Sequence, residues 1–232
     1  MQLSLRAMQH PSPRTTYKRD QVERAIGIVL YRRNTTGALL PVVKADLKRL
    51  IDIDRKPKAV RPDWQHDRHA FFDGPPPGRG RGIAYTAYNA FALLVGWQLL
   101  AGGVPQSSAV LLLRHVRTEL EAEFHRIMSL DLTPLKNGRD VDTLAWELQD
   151  GFLVRDPAHM RFLIAAGGKA AAPDAGAWSE PTREICGSEQ VLERLLSFSH
   201  FKQAAVVLEL VNSAHQLAHW LDHLPVRRRG RP

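Results

Sequence analysis

The chain has 232 residues, of which 44% are hydrophobic, 24% charged and 7% aromatic, and its formal net charge is +8. This apolar content is sufficient for one globular domain of ordinary size or for two small ones. No apolar run reaches the roughly 18 residues that a membrane span needs, and the first residues lack the features of a secretory signal. The single cysteine, Cys186, excludes a disulfide framework and a cysteine-based zinc site. We therefore expect a soluble, cytoplasmic protein without a cofactor.

The positive charge is concentrated at the two ends of the chain. Residues 1–61 hold 14 Lys and Arg against 5 Asp and Glu, whereas residues 131–224 hold 8 against 13. The last eight residues add four arginines. This asymmetry indicates that one part of the chain binds a polyanion and that another part has a different task. A solvated basic surface without any partner would give the same counts.

Two short helices are predicted near the amino terminus, after a flexible arm at residues 1–16. Apolar residues recur at three- and four-residue steps from Tyr17 to Leu30, and again from Pro41 until just before Pro57. A polar turn at residues 34–37 separates the two segments. The basic residues assigned to the exposed faces and to DNA contact are Lys18, Arg19, Lys44, Lys48, Arg49, Arg55 and Lys56. Such a pair is typical of a helix-turn-helix, and equally of an ordinary helical hairpin.

A stretch rich in glycine and proline follows at residues 69–85. Two short apolar or aromatic segments flank it, which predicts a β-hairpin with a long tip. Arg79 and Arg81 lie on that tip between glycines. The glycine spacing fits neither of the common phosphate-binding fingerprints. A hairpin with arginines at its tip, beside two basic helices, is typical of the wing of a winged helix, which contacts the DNA backbone or enters the minor groove.

Two further helices are predicted after the hairpin. Thr86 is a candidate N-cap for the first, which should stop at Gly102–Gly103. Pro105 opens the second, whose apolar stripe continues to Ile127.

This order of elements is similar to the DNA-binding domain of MerR-type regulators over residues 17–128. The similarity includes Tyr85–Thr86 directly after the hairpin and the turn Gly-Gly-Val-Pro-Gln at residues 102–106. The resemblance implies a winged helix-turn-helix in which the basic helix residues contact phosphates or bases. It also implies that Arg79 and Arg81 make the wing contact.

The carboxyl-terminal third predicts a small α+β region. The segments Phe152–Val154 and Arg161–Ile164 flank Asp156-Pro157, which indicates a second hairpin. A helical pattern then runs from Ser188 to Leu224, with Ser197–His200 as the place where it can break. Its second part has a heptad-like seam formed by Val207, Leu210, Ala214, Leu217, Leu221 and Leu224. We expect this seam to be either a homodimer interface or part of the chain's own core.

No group of residues indicates catalysis or a metal site. His215, His219 and His223 share one face of the predicted helix, but the outer two lie about 12 Å apart along its axis. One metal ion cannot be held by all three, so we interpret this face as solvated.

The last six residues, Arg227-Arg-Arg-Gly-Arg-Pro232, resemble an AT-hook. In such a segment glycine lets the backbone approach the floor of a narrow minor groove, and the arginines enter its negative potential. The resemblance implies DNA contact by Arg227, Arg228, Arg229 and Arg231. A basic tail that only increases solubility is the alternative.

We therefore predict a mainly α-helical protein with small β-hairpins, built as a winged helix-turn-helix plus a long carboxyl-terminal helix. Its parts are a flexible arm (1–16), a DNA-binding domain (17–128), a dimerisation or regulatory region (129–224) and a basic tail (225–232). The expected function is a homodimeric, sequence-specific transcriptional regulator that binds double-stranded DNA in the nucleoid. The alternative is an adaptor whose acidic half binds another protein, while its basic half holds nucleic acid without sequence preference.

Overall fold

The computed structural model describes residues 16–30, 39–55, 69–76, 82–130, 157–166, 182–199 and 205–225. Seven α-helices lie within them: α1 (Arg19–Leu30), α2 (Pro41–Arg55), α3 (Ala87–Ala101), α4 (Gln106–His115), α5 (Arg117–Met128), α6 (Ser188–Ser199) and α7 (Val211–His223). The five strands are β1 (Tyr17–Lys18), β2 (Ala84–Tyr85), β3 (Arg161–Ala166), β4 (Thr182–Gly187) and β5 (Ala205–Glu209). The prediction of a mainly helical protein is confirmed, and the described strands form two small antiparallel sheets. None of the described helices is long and apolar enough to cross a membrane.

The ends of α3 follow the predicted signals. The Thr86 side chain accepts a hydrogen bond from the Asn89 backbone N–H at 3.1 Å, which caps the helix start. At the other end Gly103 has a φ of +91°, a left-handed conformation that favours glycine. This turn lets the Val104 N–H bond back to the Leu99 carbonyl at 3.0 Å, which ends the helix.

The helix predicted from Pro105 to Ile127 is divided in two. Val116 has φ −82° and ψ 1°, so the chain leaves α-helical geometry between α4 and α5. Arg114 and Arg117, on either side of this break, both point into the protein and are less than 10% exposed. The break therefore separates Arg114 from Arg117, the two arginines that hold the segment His69–Asp73 in place.

The predicted hairpin over residues 69–85 is wrong in its described part. Strand β2 pairs antiparallel with β1, with Tyr85 opposite Tyr17, and the segment Ala70–Phe72 forms no strand. The tip with Arg79 and Arg81 lies outside the described residues. Helix α1 packs mainly against α7, whereas α2 packs against α3 and α4. The winged helix-turn-helix is therefore not confirmed.

The second sheet has the strand order β4-β3-β5 and is antiparallel throughout. Its central strand β3 pairs with β4 on one side, Leu163 opposite Ile185, and with β5 on the other, Leu163 opposite Leu208. The partner predicted for this strand, Phe152–Val154, lies outside the described residues. Helix α6 covers one face of the sheet over Ile164 and Cys186.

The helical pattern predicted from Ser188 to Leu224 breaks at the place that the sequence indicated, Ser197–His200, but the prediction that its second part is wholly helical is wrong. Helix α6 ends at Ser199, and β5 precedes α7. The β-branched Val206 and Val207 favour an extended chain, and pairing with β3 gives their backbone groups partners.

The predicted dimer seam lies inside the chain. Five of its members are at most 8% exposed and belong to the main hydrophobic core: Leu210, Ala214, Leu217, Leu221 and Leu224. Val207 lies on β5 and is 37% exposed. These core residues are not available as an interface between two copies.

One hydrophobic core extends across the predicted domain boundary at residue 128. Leu163 of β3 and Leu217 of α7 belong to the same cluster as Ile26 of α1, Phe91 of α3 and Ile127 of α5. Residues from the two regions that the sequence predicted, 17–128 and 129–224, therefore pack into the same core.

A buried carboxylate holds the segment His69–Asp73 in place. Asp54, fully buried near the end of α2, accepts hydrogen bonds from the backbone N–H groups of Ala70 at 3.0 Å and Phe71 at 2.9 Å. Arg114 donates to the Asp54 carboxylate from Nε and to its backbone carbonyl from Nη2, both at 2.7 Å. The Asp54 carboxylate therefore supplies the hydrogen-bond acceptors that a neighbouring strand supplies in a hairpin.

Arg117 completes this arrangement from α5. Its Nη1 donates to the backbone carbonyls of His69, Ala70 and Phe72, and its Nη2 bonds to Asp73 Oδ1 at 2.6 Å. The guanidinium also lies over the Tyr88 ring, 5.2 Å from its centroid. One buried guanidinium therefore donates hydrogen bonds to three backbone carbonyls that do not pair with a strand.

We expect Asp54→Ala to lower the free energy of unfolding by about 3–5 kcal/mol, because it leaves the buried Arg114 without a countercharge and two buried N–H groups without acceptors. Asp46→Ala, which removes the 3.5 Å surface pair with Arg49, should cost less than about 1 kcal/mol. Urea unfolding of both variants measures the difference. Equal losses would show that Asp54 is not the critical group.

We expect Leu221→Ala to destabilise the protein by about 2–5 kcal/mol, since it opens a cavity in the core. Val207→Ala, at a seam position that is 37% exposed, should change stability by no more than about 1 kcal/mol. Denaturant unfolding at several protein concentrations tests this. If the loss of stability caused by Leu221→Ala became smaller as the protein concentration rose, Leu221 would belong to an interface between copies rather than to the core.

Candidate nucleic-acid interface

Helix α2 presents a basic stripe on its outer side. Its inner face, including Val43, Leu47 and Leu50, is at most 1% exposed and packs against α3 and α4. Lys44 and Lys48 are exposed, and Arg55 is half-buried. Steps of four and seven residues bring these three cations to the same side of a helix. The stripe is defined here as Lys44, Lys48 and Arg55.

Arg49 lies on α2 outside this stripe. Its side chain is 64% exposed and lies 3.5 Å from Asp46. Exposed pairs of this kind are weak because water screens them. The guanidinium can exchange Asp46 for a phosphate.

Charged side chains from the end of α2 and the beginning of α1 act on the same buried group, Tyr85. The Tyr85 hydroxyl is fully buried and has no hydrogen-bond partner in the described part of the chain. Burial raises the pKa of Tyr85 to about 12, while the nearby charges of Arg19 and Arg55 lower it and that of Glu23 raises it. Two of the predicted DNA-contacting residues, from helices that are distant in sequence, therefore lie close to one hydroxyl group.

Lys18 lies in the same region, because β1 pairs it with Ala84, the residue before Tyr85. Its side chain is exposed. Arg19 is held by an ion pair with Glu23 at 2.6 Å, and its side chain remains 36% exposed. We call Lys18, Arg19 and Arg55 the basic junction.

Helix α1 also binds the end of α7. The Gln21 side-chain amide donates to the backbone carbonyls of Leu221 at 2.7 Å and Leu224 at 3.1 Å. These carbonyls belong to the last turn of α7 and its cap, where a helix lacks internal partners. Arg24 Nη1 donates to the Pro225 carbonyl at 3.1 Å. The basic tail therefore begins beside α1.

Tyr17 strengthens this connection. Its hydroxyl donates to Asp222 Oδ1 at 2.6 Å. Burial and the adjacent Asp222 carboxylate raise the pKa of Tyr17 above its usual value, so the hydroxyl keeps its proton. The roles of Tyr17, Gln21 and Arg24 were missed in the sequence, because each contact joins residues 200 or more positions apart.

Most of the amino-terminal charge excess falls outside the described residues. Residues 1–15, 31–38 and 56–61 hold seven Lys and Arg and no Asp or Glu, which leaves a net charge of +2 for the described residues of this stretch. Seven predicted contact residues also lie outside them: Lys56, Arg79, Arg81, Arg227, Arg228, Arg229 and Arg231.

The histidine face of α7 differs from its prediction. His215 is only 3% exposed, so the interpretation of a wholly solvated face is wrong. The rings of His219 and His223 stack with centroids 4.2 Å apart. Burial, together with the neighbouring His223, lowers the pKa of His219. The described residues contain no group of three or more side chains that could hold a metal ion.

No protein-family model, curated protein or solved structure matches this chain. The resemblances to MerR-type regulators and to the AT-hook therefore stay predictions.

We expect Gln21→Ala to release the end of α7, because two carbonyls lose their donor and part-buried acceptors are costly to leave unpaired. The backbone amides of residues 221–224 should exchange with deuterium at least severalfold faster, as measured by hydrogen-exchange NMR. Gln190→Ala, at an exposed position of α6, should leave these rates unchanged. Unchanged rates in Gln21→Ala would mean that α7 is held without this contact.

Proposed function

We propose that this protein binds double-stranded DNA and regulates transcription, with the basic stripe and the basic junction as its contact surface. The observation that carries the proposal is the alignment of the three cations of the stripe along one side of α2. Lys44 and Lys48 are exposed on α2, and the stripe ends at Arg55, whose charge, like that of Arg19, acts on the buried Tyr85 hydroxyl.

The shape of α2 suits this role. A helix with its side chains is about 10–12 Å across, and the major groove of B-DNA is about 12 Å wide. Because the apolar face of α2 is packed against α3 and α4, the helix presents one polar side rigidly. Lysines on that side would neutralise phosphates, which positions the protein on the duplex.

The remaining predicted contacts extend this surface in the proposal. Arg79 and Arg81 precede β2 in the sequence, β2 itself lies beside the basic junction, and the tail begins at the anchored end of α7. Arginines in either segment would favour a narrow A·T-rich minor groove. A homodimer stays part of the proposal, although its interface cannot be the buried seam.

The adaptor alternative differs in specificity. A true regulator should bind its own site at least about a thousandfold more tightly than random duplex. An adaptor that holds nucleic acid through charge alone would show a ratio near one. Selection of binding sites from a random duplex pool, followed by a footprint on the enriched sequence, separates the two.

We expect the double substitution Lys44→Ala and Lys48→Ala to weaken duplex binding and its salt dependence. Each lost phosphate contact should reduce the slope of log affinity against log salt by about 0.9. Fluorescence anisotropy with a labelled duplex over a range of salt concentrations measures both quantities.

The matched control is Lys44→Arg with Lys48→Arg, which keeps both charges and should keep the slope. Circular dichroism of all variants checks that α2 still folds, since neither lysine is buried. An alanine variant that binds with the parental affinity and slope would rule out the stripe as the contact surface.

A further inference from the structure

A groove of about 480 Å³ lies between α5 and the strands β3 and β4. It is distant from the stripe in sequence and shares no residue with it. Its wall is formed by three arginines, three glutamates and two apolar residues: Arg126, Arg161, Arg183, Glu119, Glu123, Glu184, Ala122 and Ile185. Pockets of 300–1,000 Å³ commonly hold small molecules.

The carboxylates of this groove are unequally available. Glu123 accepts hydrogen bonds on a single oxygen, Oε1, from Arg126 Nε and Nη2 and from Arg161 Nε at 2.6–3.0 Å. Burial alone would raise the pKa of Glu123, but these two arginines outweigh it and hold the pKa below its usual value. Glu184 is paired with Arg194 of α6 at 2.8 Å. Two guanidinium groups thus share one carboxylate on the α5 side.

Arg161 has unused donors. Only its Nε takes part in the bond to Glu123, and within the described part of the chain its two terminal nitrogens donate to no acceptor. The side chain is 27% exposed. A guanidinium with two parallel free N–H groups matches the geometry of a carboxylate.

Arg183 supplies a second cation to the lining of the groove, and it also has a partner of its own within the protein. Along the β3–β4 pair, Arg161 lies opposite Gly187 and Arg183 lies opposite Ala165. Alternation along the strands puts both arginines on the same face of the sheet. Ile185 lies between Arg183 and Gly187 on that face and lines the groove. Two cations separated by an apolar surface are complementary to two anions joined by a short hydrocarbon.

We propose that this groove binds a small organic dicarboxylate, with one carboxylate on the free N–H groups of Arg161 and the other near Arg183. The ligand would lie along the β3–β4 pair, beside the Arg161–Glu123 bond that joins the sheet to α5 at 2.8 Å. This proposal does not depend on whether the chain binds DNA.

The test is an NMR titration of the ¹⁵N-labelled full chain with succinate, against acetate, inorganic phosphate and sodium chloride at equal ionic strength. We expect succinate to give saturable shifts confined to residues 119–126, 161–165 and 183–185. Acetate should bind at least tenfold more weakly because it has one carboxylate.

The matched variants are Arg161→Lys and Arg194→Lys. Arg161→Lys keeps the charge that faces Glu123 but loses the parallel N–H groups, so we expect succinate affinity to fall at least tenfold. Arg194→Lys makes the same chemical change in the pair with Glu184 and should bind like the parent. The thermal midpoint without ligand verifies that both variants fold.

Non-saturable shifts, or shifts that chloride reproduces, would overturn the site. Equal affinity for acetate and succinate would overturn the two-carboxylate assignment, and tighter binding of phosphate would overturn the carboxylate assignment. An Arg161→Lys variant that binds succinate as tightly as the parent would show that Arg161 only joins the sheet to α5.

Discussion

The buried carboxylate of Asp54 is the group on which most of this architecture depends. It accepts two backbone N–H groups of an unpaired segment and binds Arg114, while being fully removed from water. A buried charge is stable only when all its bonds are made, because desolvation costs several kcal/mol per ion. The end of α2, the segment from His69 and the end of α4 are therefore fixed relative to one another.

The candidate DNA surface depends on this constraint. Asp54 directly precedes Arg55, so its bonds hold the last turn of α2 where Arg55 approaches Tyr85. Pairing of β1 with β2 brings Lys18 to the same place. Gln21 then binds the end of α7 against α1. Strand β1 and the end of α7 at Pro225 are thereby brought together beside α1.

The acidic part of the chain is built differently. Its three-stranded sheet shares apolar contacts with the helices through Leu163, and it is tied to α5 by the bond from Arg161 to Glu123. This bond crosses a polar groove rather than a packed surface. A ligand in that groove would act on a contact that links the sheet to the helical part, at a distance from the basic stripe. The basic stripe and this groove are thus two separate surfaces.

The sequence by itself determined the local elements: the three- and four-residue periodicity predicted α1 and α2, and Thr86 and Gly103 marked the ends of α3. These signals are local, because a cap or an apolar stripe is formed by residues within a few positions of one another. The tertiary structure alone decided the rest. The residues around Val207 fit a helical seam and a strand equally well, and pairing with β3 selected the strand. Likewise, Asp54, Arg114 and Gln21 look like surface residues of amphipathic helices. Arg114 binds Asp54, 60 positions away, and Gln21 binds carbonyls that are 200 and 203 positions away. Hydrogen bonds over such separations leave no periodic pattern in the sequence.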